Sequence, residues 1–234
     1  MKLHLKPVEK AGKIHPLGSR RKIFIVEDHP TFREGLVQIL RGQQDLSVCG
    51  QAGDADRALQ AILRLNPDLV LVDITLPGKS GLELIKELRA RNSQARILVV
   101  SMHEEALYAD RVLRAGGDGY IMKQQDPEEI VHAMRDVLAG RIYVSEEVLA
   151  NTAKTSRKRV AKPETRPVDQ LTDLELNILE LLGRGKTNRE IARQLHLDVR
   201  KVDTHSAQMR KKLKLKSNNA LVRYAVCWLE DVAF

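Results

Sequence analysis

Aromatic residues make up only 3% of this 234-residue chain, and cysteine occurs just twice. With so few large rings, the core has to be assembled from Leu, Val, Ile and Ala. No uninterrupted apolar run approaches the roughly 18–20 residues that a bilayer-spanning helix needs, so no membrane partner is expected. The opening segment, Met1 to Lys22, is basic but has no apolar stretch, which argues against a secretory signal. Cys49 and Cys227 lie in opposite halves among apolar neighbours, and the expectation is two reduced core thiols in a cytoplasmic protein. The remaining composition, 43% hydrophobic and 30% charged, excludes disorder, collagen and coiled coil as global descriptions. The length allows one large domain or two modest ones.

Charge is unevenly placed. The net charge is +8, yet residues 21–150 carry 16 basic and 20 acidic side chains. Residues 151–168 carry 6 basic and 1 acidic, and residues 169–234 carry 12 and 9. An acidic body followed by a basic end points to an anionic partner for the second part alone, with nucleic acid as the leading candidate.

From Lys22 onward, short continuous apolar runs alternate with amphipathic stretches. The runs are Ile23–Val26, Leu46–Cys49, Leu69–Val72, Ile97–Val100 and Tyr120–Met122. Continuous rather than alternating apolar character is how strands buried on both faces read. The stretches near 30–42, 54–66, 80–91, 104–115 and 126–140 read as helices. Strict alternation predicts an α/β fold: a five-stranded parallel sheet, doubly wound and flavodoxin-like, with right-handed crossovers. Residues 1–20 are predicted to be a basic, disordered arm, 21–145 the α/β domain, and 146–168 a basic flexible linker with Pro163 and Pro167.

Past the linker, strands stop. Residues 169–234 predict a separate all-α domain of four helices. Thr172 and Glu175 form a capping box for the first, which ends near Gly183–Gly185. Asn188–Leu195 and Val199–Leu213 follow, joined by the turn His196-Leu197-Asp198, and a last helix runs from about Asn218 to Leu229. Two helices joined by a three-residue turn predict a helix-turn-helix reader of DNA. Ile191, Ala192, Leu195, Val202, Met209 and Leu213 supply its inward stripe. The outward face of the longer helix carries Arg200, Lys201, Asp203, Thr204, Ala207, Gln208, Lys211 and Lys212, the candidate DNA-binding residues. Gly183-Arg184-Gly185-Lys186-Thr187 imitates the end of a phosphate-binding loop. The full pattern needs glycine where Glu180 stands and a strand before it, so nucleotide binding is not expected.

In a doubly wound sheet, chemistry collects beyond the carboxyl ends of the strands. Glu27 and Asp28 follow the first strand, Asp73 the third, Ser101 closes the fourth and Lys123 follows the fifth. Singly, each has a plainer explanation; Asp28 could simply cap the helix beginning at Pro30. Together they make a pocket. Three close carboxylates repel one another, and a hard divalent cation, Mg²⁺, relieves the repulsion. Lys123 adds a point charge for an anion. Such a set suits phosphoryl transfer, with Asp73 as the nucleophile that would form an aspartyl phosphate.

Val26-Glu27-Asp28-His29-Pro30, Val72 to Gly81, Ser101-Met102-His103 and Ala115 to Lys123 together resemble the receiver domain of two-component response regulators. The tail resembles the LuxR-type helix-turn-helix of the NarL/FixJ class, through Leu171-Thr172, Leu179 to Leu182, Gly185 to Ala192, Leu195, Val202 to His205 and Lys211-Lys212-Leu213. The resemblance implies that Asp73 accepts phosphate from a sensor histidine kinase. It implies that Glu27, Asp28, Asp73 and the backbone carbonyl of Thr75 hold Mg²⁺, with Ser101 and Lys123 meeting the phosphoryl group. Tyr120 falls at the position whose ring reorients on activation. By the same analogy Asp203, Thr204 and Ala207 face the groove, Lys201, Lys211 and Lys212 neighbour phosphates, and the phosphorylated chain forms a homodimer.

The implied function is a phosphorylation-dependent DNA-binding transcriptional regulator. It is not an enzyme beyond self-phosphorylation and self-dephosphorylation at Asp73. Two other readings stay open: a DNA-binding regulator that works without phosphorylation, and a phosphatase with an aspartyl intermediate. The dehalogenase-type phosphatases carry a second Asp two residues after the nucleophile, where this chain has Thr75.

Overall fold

Five strands, β1 (Arg21–Val26), β2 (Leu46–Ala52), β3 (Leu69–Val72), β4 (Arg96–Ser101) and β5 (Gly119–Met122), form one parallel sheet in the order β2-β1-β3-β4-β5. A computed structural model describes residues 19–145, 148 and 167–233. The chain divides into two units, Met1–Lys154 and Thr155–Phe234. The expected arm, residues 1–20, lies outside the described residues except for Ser19 and Arg20, as do most of residues 146–168.

Helices α1 (Pro30–Arg41), α2 (Ala55–Leu65), α3 (Gly81–Ala90), α4 (Glu105–Ala115) and α5 (Pro127–Leu138) alternate with the strands. Each start has a local cause. Proline stands in the first turn of α1 and α5, Asp54 accepts from the Arg57 N–H at 2.9 Å, and Ser80 with Glu83 completes a capping box. Ile23, Ile25, Leu69, Leu71, Leu98, Val100 and Ile121 pack with Leu36 and Leu40 of α1 and Ile130, Met134 and Val137 of α5. Each such buried side chain contributes about 1.5–3 kcal/mol.

Strand β2 runs three residues beyond the apolar run that predicts it. The β1–β2 register shifts between Ile23 and Phe24, so that Ile23 faces Val48 and Phe24 faces Gly50. Cys49 is the extra residue of a bulge. Gly50 is required beside it, since a Cβ there would fall 2.6 Å from Phe24 Cε2. After α5 the chain returns along the free edge of β5, where Gly119 bridges Tyr143 and the Tyr120 N–H donates to the Tyr143 carbonyl at 2.7 Å. The Ser145 N–H then donates to Glu105 Oε1 of α4 at 2.6 Å, and the Tyr143 hydroxyl donates to Glu129 of α5. This edge contact has no signature in the apolar pattern.

The second unit opens on a 3₁₀ turn, Pro167–Gln170, followed by α6 (Asp173–Gly183), α7 (Asn188–Gln194), α8 (Val199–Lys212) and α9 (Asn218–Ala233). Val168, expected at the end of the linker, is instead buried in this unit's core with Leu171, Ile178, Leu182, Ile191, Val202 and Met209. The Gly183–Thr187 stretch is a helix end, a turn at Gly185 (φ +76°) and the N-cap of α7; a helix precedes it where a phosphate-binding loop requires a strand.

Cys227 is exposed rather than part of the core, and Cys49 is half-buried; both are free thiols. On α9, Leu221 and Ala225 occupy the inward stripe, and two further residues of helical twist turn Cys227 outward. Val222 and Val226, next to that stripe on the same helix, are 39% and 37% exposed.

Glu175, the capping-box glutamate of α6, is completely buried, and Lys212 Nζ lies 2.6 Å from its Oε2. Burial pushes this carboxyl up, but the Lys212 ammonium and the Thr172 N–H outweigh it, and the net shift is downward. A carboxyl lowered by folding contributes stability that is complete above its unfolded value of about 4.3 and lost as pH falls through the folded value. We therefore expect the wild-type second unit to lose stability on acidification below that pH. Glu175→Gln should be less stable at pH 6 and should flatten the loss, as read by denaturant midpoints between pH 6 and 3.

Candidate phosphoacceptor pocket and nucleic-acid interface

Two neighbouring parallel strands, β1 and β3, deliver the carboxylates to one rim of the sheet. The Glu27 N–H donates to the Ala52 carbonyl at 3.0 Å, and the Asp73 N–H donates to the Val26 carbonyl at 3.0 Å, so the strand ladder fixes both backbones. Arg33 donates from α1 to the Glu27 carbonyl at 2.5 Å. Lys123 arrives from β5, its own N–H donating to the Ser101 carbonyl at 2.8 Å. Its Nζ lies 2.8 Å from Asp73 Oδ2 and 2.6 Å from Glu27 Oε2, and 4.7 Å above the Phe32 ring.

The electrostatics of the pocket are incomplete. Glu27, Asp28 and Asp73 bring three carboxylates against one ammonium. Burial, reinforced by the Asp73 charge, pushes the Glu27 carboxyl up despite Lys123. Burial works against the Lys123 ammonium too, but Asp73 and Glu27 together hold its pKa above the usual lysine value. Asp73 is 4% exposed, and its Oδ1 is buried without a hydrogen-bond partner. A buried, unpartnered carboxylate oxygen beside an excess of negative charge is what a cation ligand looks like. The ligand atoms of Glu27, Asp28, His29 and Asp73 all lie within 4.8 Å of one another.

The loops around this pocket are tied together by His103. Its ring Nε2 is 2.8 Å from Thr75 Oγ1, its N–H points to Ser101 Oγ at 3.5 Å, and its ring lies 4.7 Å from that of Tyr108 on α4. The Tyr120 hydroxyl donates to the His103 carbonyl at 2.8 Å, and the Tyr120 side chain is fully buried. Ser101 is fully buried at the end of β4.

In the second unit, Arg200, Lys201, Asp203, Thr204, Gln208 and Lys211 are exposed on α8, while Val202, Ser206 and Met209 turn inward. Ala207 is half-buried. Asn188 of α7 donates to Asp203 Oδ1 at 2.7 Å, and the Thr204 hydroxyl donates back to the Arg200 carbonyl at 2.8 Å.

Comparison with known proteins accounts for both halves. Residues 23–135 match the family "Response regulator receiver domain", and residues 169–225 match "Bacterial regulatory proteins, luxR family". The nitrate/nitrite response regulator protein NarL of Escherichia coli K12 is 37% identical over 197 residues, 83% of this chain and 90% of that protein. The chain is a NarL-class response regulator. The oxygen regulatory protein NreC of Staphylococcus aureus JH9 is 34% identical over 209 residues, covering 88% of this regulator and 96% of that protein. A solved LuxR-family two-component response regulator from Aurantimonas sp. SI85-9A1 superposes with a TM-score of 0.54 at 34% identity, over 59% of this chain and 99% of that one. The regulator is therefore a DNA-binding transcription regulator of a two-component system. Among its described residues no helix is long and apolar enough to cross a membrane.

In this regulator Glu27, Asp28, Asp73 and Lys123 gather as the strand order demands. Ser101 and Tyr120 are linked to each other through His103, Thr75 reaches the same histidine through its hydroxyl, and the Ser101 carbonyl accepts from the Lys123 N–H. Two participants escape the sequence pattern. His29 follows an acidic pair on a loop and contributes nothing to an apolar period, and His103 meets Thr75 only because two loops fold together. Among the candidate DNA residues, Lys212 differs from its neighbours, since its ammonium is engaged by Glu175 inside the unit.

Proposed function

We propose that the regulator takes a phosphoryl group on Asp73 from a sensor histidine kinase and that the modified chain binds DNA differently. The observation that carries this is the paired state of Asp73: one oxygen held by Lys123 at 2.8 Å, the other buried and unpartnered. Glu27, Asp28, Asp73 and the Thr75 carbonyl would hold Mg²⁺. When bound, the ion supplies charge neutralisation for the transferring phosphoryl group. The carboxylate of Asp73 forms the new oxygen–phosphorus bond as the donor's nitrogen–phosphorus bond breaks. Lys123, already oriented by two carboxylates, moves its charge toward the added phosphoryl oxygens, and the Ser101 hydroxyl donates to one of them.

Loss of the Ser101 contact takes one bond from the His103 N–H, and the His103 carbonyl accepts from the Tyr120 hydroxyl. A charge change at Asp73 thus reaches a buried aromatic ring and α4 through one loop. The chain would act in the cytoplasm through residues 21–145 as the receiver and residues 169–234 as the DNA-binding domain. Arg200, Lys201 and Lys211 would meet phosphates, while Asp203, Thr204, Ala207 and Gln208 would face bases. The exposed Val222 and Val226 of α9 fit a homodimer that reads paired half-sites.

The test is DNA affinity by fluorescence anisotropy, on sites selected by the protein, with and without beryllofluoride and Mg²⁺. We expect about a tenfold tightening in the wild type and none in Asp73→Asn. Unchanged wild-type affinity would favour a regulator that works without phosphorylation.

A further inference from the structure

Helices α7 and α8 share one core through Ile191, Ala192 and Val202. Outside that core they are joined again, by side chains that the packing does not need. Asn188 opens α7, and its Nδ2 donates to Asp203 Oδ1 on α8 at 2.7 Å. Asp203 is exposed, and a hydrogen bond at the surface adds little stability because water competes for both partners. Nor is Asp203 a helix cap; Asp198 fills that role, accepting from the Arg200 N–H at 2.7 Å. The bond instead fixes the direction of a lone carboxylate on a face that also carries Arg200, Lys201 and Lys211. Its other oxygen, Oδ2, has no partner among the described residues. The Thr204 hydroxyl commits its proton to the Arg200 carbonyl at 2.8 Å, so outward it can only accept. Two adjacent side chains in the first half of α8 thus present acceptors and no donor.

Acceptors need donors on the DNA. In the major groove the bases offer only two, the N6 amino group of adenine and the N4 amino group of cytosine; guanine and thymine present acceptors there. Adenine also carries the N7 acceptor beside its amino group, which repels a carboxylate, whereas cytosine carries none. The N-terminal residues of the second helix of a helix-turn-helix are those that meet base edges. We propose that Asn188, from the supporting helix, aims Asp203 at a cytosine amino group, so that the Asn188–Asp203 pair sets one base of each half-site. The inference rests on reading α8 as the helix that faces bases. Asn188 is a positioning residue. It holds the carboxylate in one rotamer before DNA arrives, which removes an ordering cost from binding the right base. The wrong bases are rejected by the same geometry, since guanine or thymine would set acceptor against acceptor.

Sites enriched from random duplex DNA by the full chain, in beryllofluoride and Mg²⁺, test this for wild type, Asp203→Asn, Asp203→Ala, Asn188→Ala, the double alanine variant and Gln208→Ala. Fluorescence anisotropy then compares the four bases at each position of the enriched site. We expect the wild type to prefer cytosine about tenfold at one position per half-site, and Asp203→Asn to prefer adenine there, because an amide pairs with adenine N6 and N7. Asn188→Ala should cut the cytosine preference about threefold, leave other positions and the denaturant midpoint unchanged, and have no further effect once Asp203 is alanine. Equal weakening on all four bases in Asn188→Ala would make Asn188 a backbone contact and overturn the proposal. A cytosine preference untouched by Asn188→Ala would overturn it too, as would a base other than cytosine at the position Asp203 sets. A base changed by Gln208→Ala but none by the Asp203 variants would uphold α8 as the reading helix and sink this assignment alone. Enriched sites that no α8 variant alters would sink both.

Discussion

Gly81→Ala is expected to destabilise the first unit by about 3 kcal/mol or more and to slow phosphoryl incorporation at Asp73. A Cβ on Gly81 would fall 2.0 Å from the Asp73 carbonyl oxygen and 2.8 Å from Val72 Cγ1. Neither neighbour can yield freely, since one is backbone and the other is packed between sheet and helix. Gly81 also donates to the Ile74 carbonyl at 2.9 Å, which closes the β3–α3 loop next to Asp73. The close approach thus ties helix α3 to the position of the Asp73 backbone. Guanidinium titration measures the stability, and a time course of labelling measures the chemistry. Wild-type midpoint and rate in the variant would show that the loop can rearrange without moving Asp73.

The second large effect is expected from Lys123→Met. The Lys123 side chain is 5% exposed and touches two carboxylates that are themselves buried, Asp73 and Glu27. Removing one partner of such a group strands the others, and breaking buried pairs costs about 3–5 kcal/mol. Magnesium supplies two positive charges to the same oxygens, so it should offset part of the loss. The variant is therefore expected to unfold at much lower denaturant in a chelator than in millimolar Mg²⁺, with a wider gap between the two conditions than the wild type shows. Equal chelator midpoints for variant and wild type would mean that Lys123 does not neutralise the pocket.

Much of this architecture is written in local pattern. The run Leu69–Val72 coincides with β3, because a strand buried on both faces needs apolar residues at every position. Strand order then brings Glu27, Asp28, Asp73 and Lys123 together without any further signal. What stays illegible depends on contacts between distant loops. His103 reaches Thr75 across two strand-end loops, and Lys212 reaches Glu175 across 37 residues of sequence. No helical or strand period encodes either pair. The extra length of β2 follows from a bulge whose cause, the ring of Phe24 against Gly50, is a matter of packing. Cys227 looks like a core thiol in its apolar neighbourhood, but the helical phase set by Leu221 and Ala225 turns it outward.

The coupling from pocket to loop is where the two readings of this regulator part. If the regulator worked without phosphorylation, nothing would require a buried, half-paired aspartate beneath a lysine shared by two carboxylates. An uncompensated arrangement of this kind costs stability and is kept where chemistry uses it. The contacts Ser101–His103–Tyr120 and His103–Tyr108 are the route by which the proposed modification of Asp73 would be felt at α4.

The most direct measurement is phosphoryl incorporation from acetyl phosphate, followed by intact-protein mass spectrometry with Mg²⁺ or with a chelator. The wild type should gain an acid-stable, hydroxylamine-labile phosphoryl group in Mg²⁺ and none in chelator, and Asp73→Asn should gain none in either. Equal incorporation by the wild type and Asp73→Asn would contradict the assignment of Asp73 and the signalling role built on it.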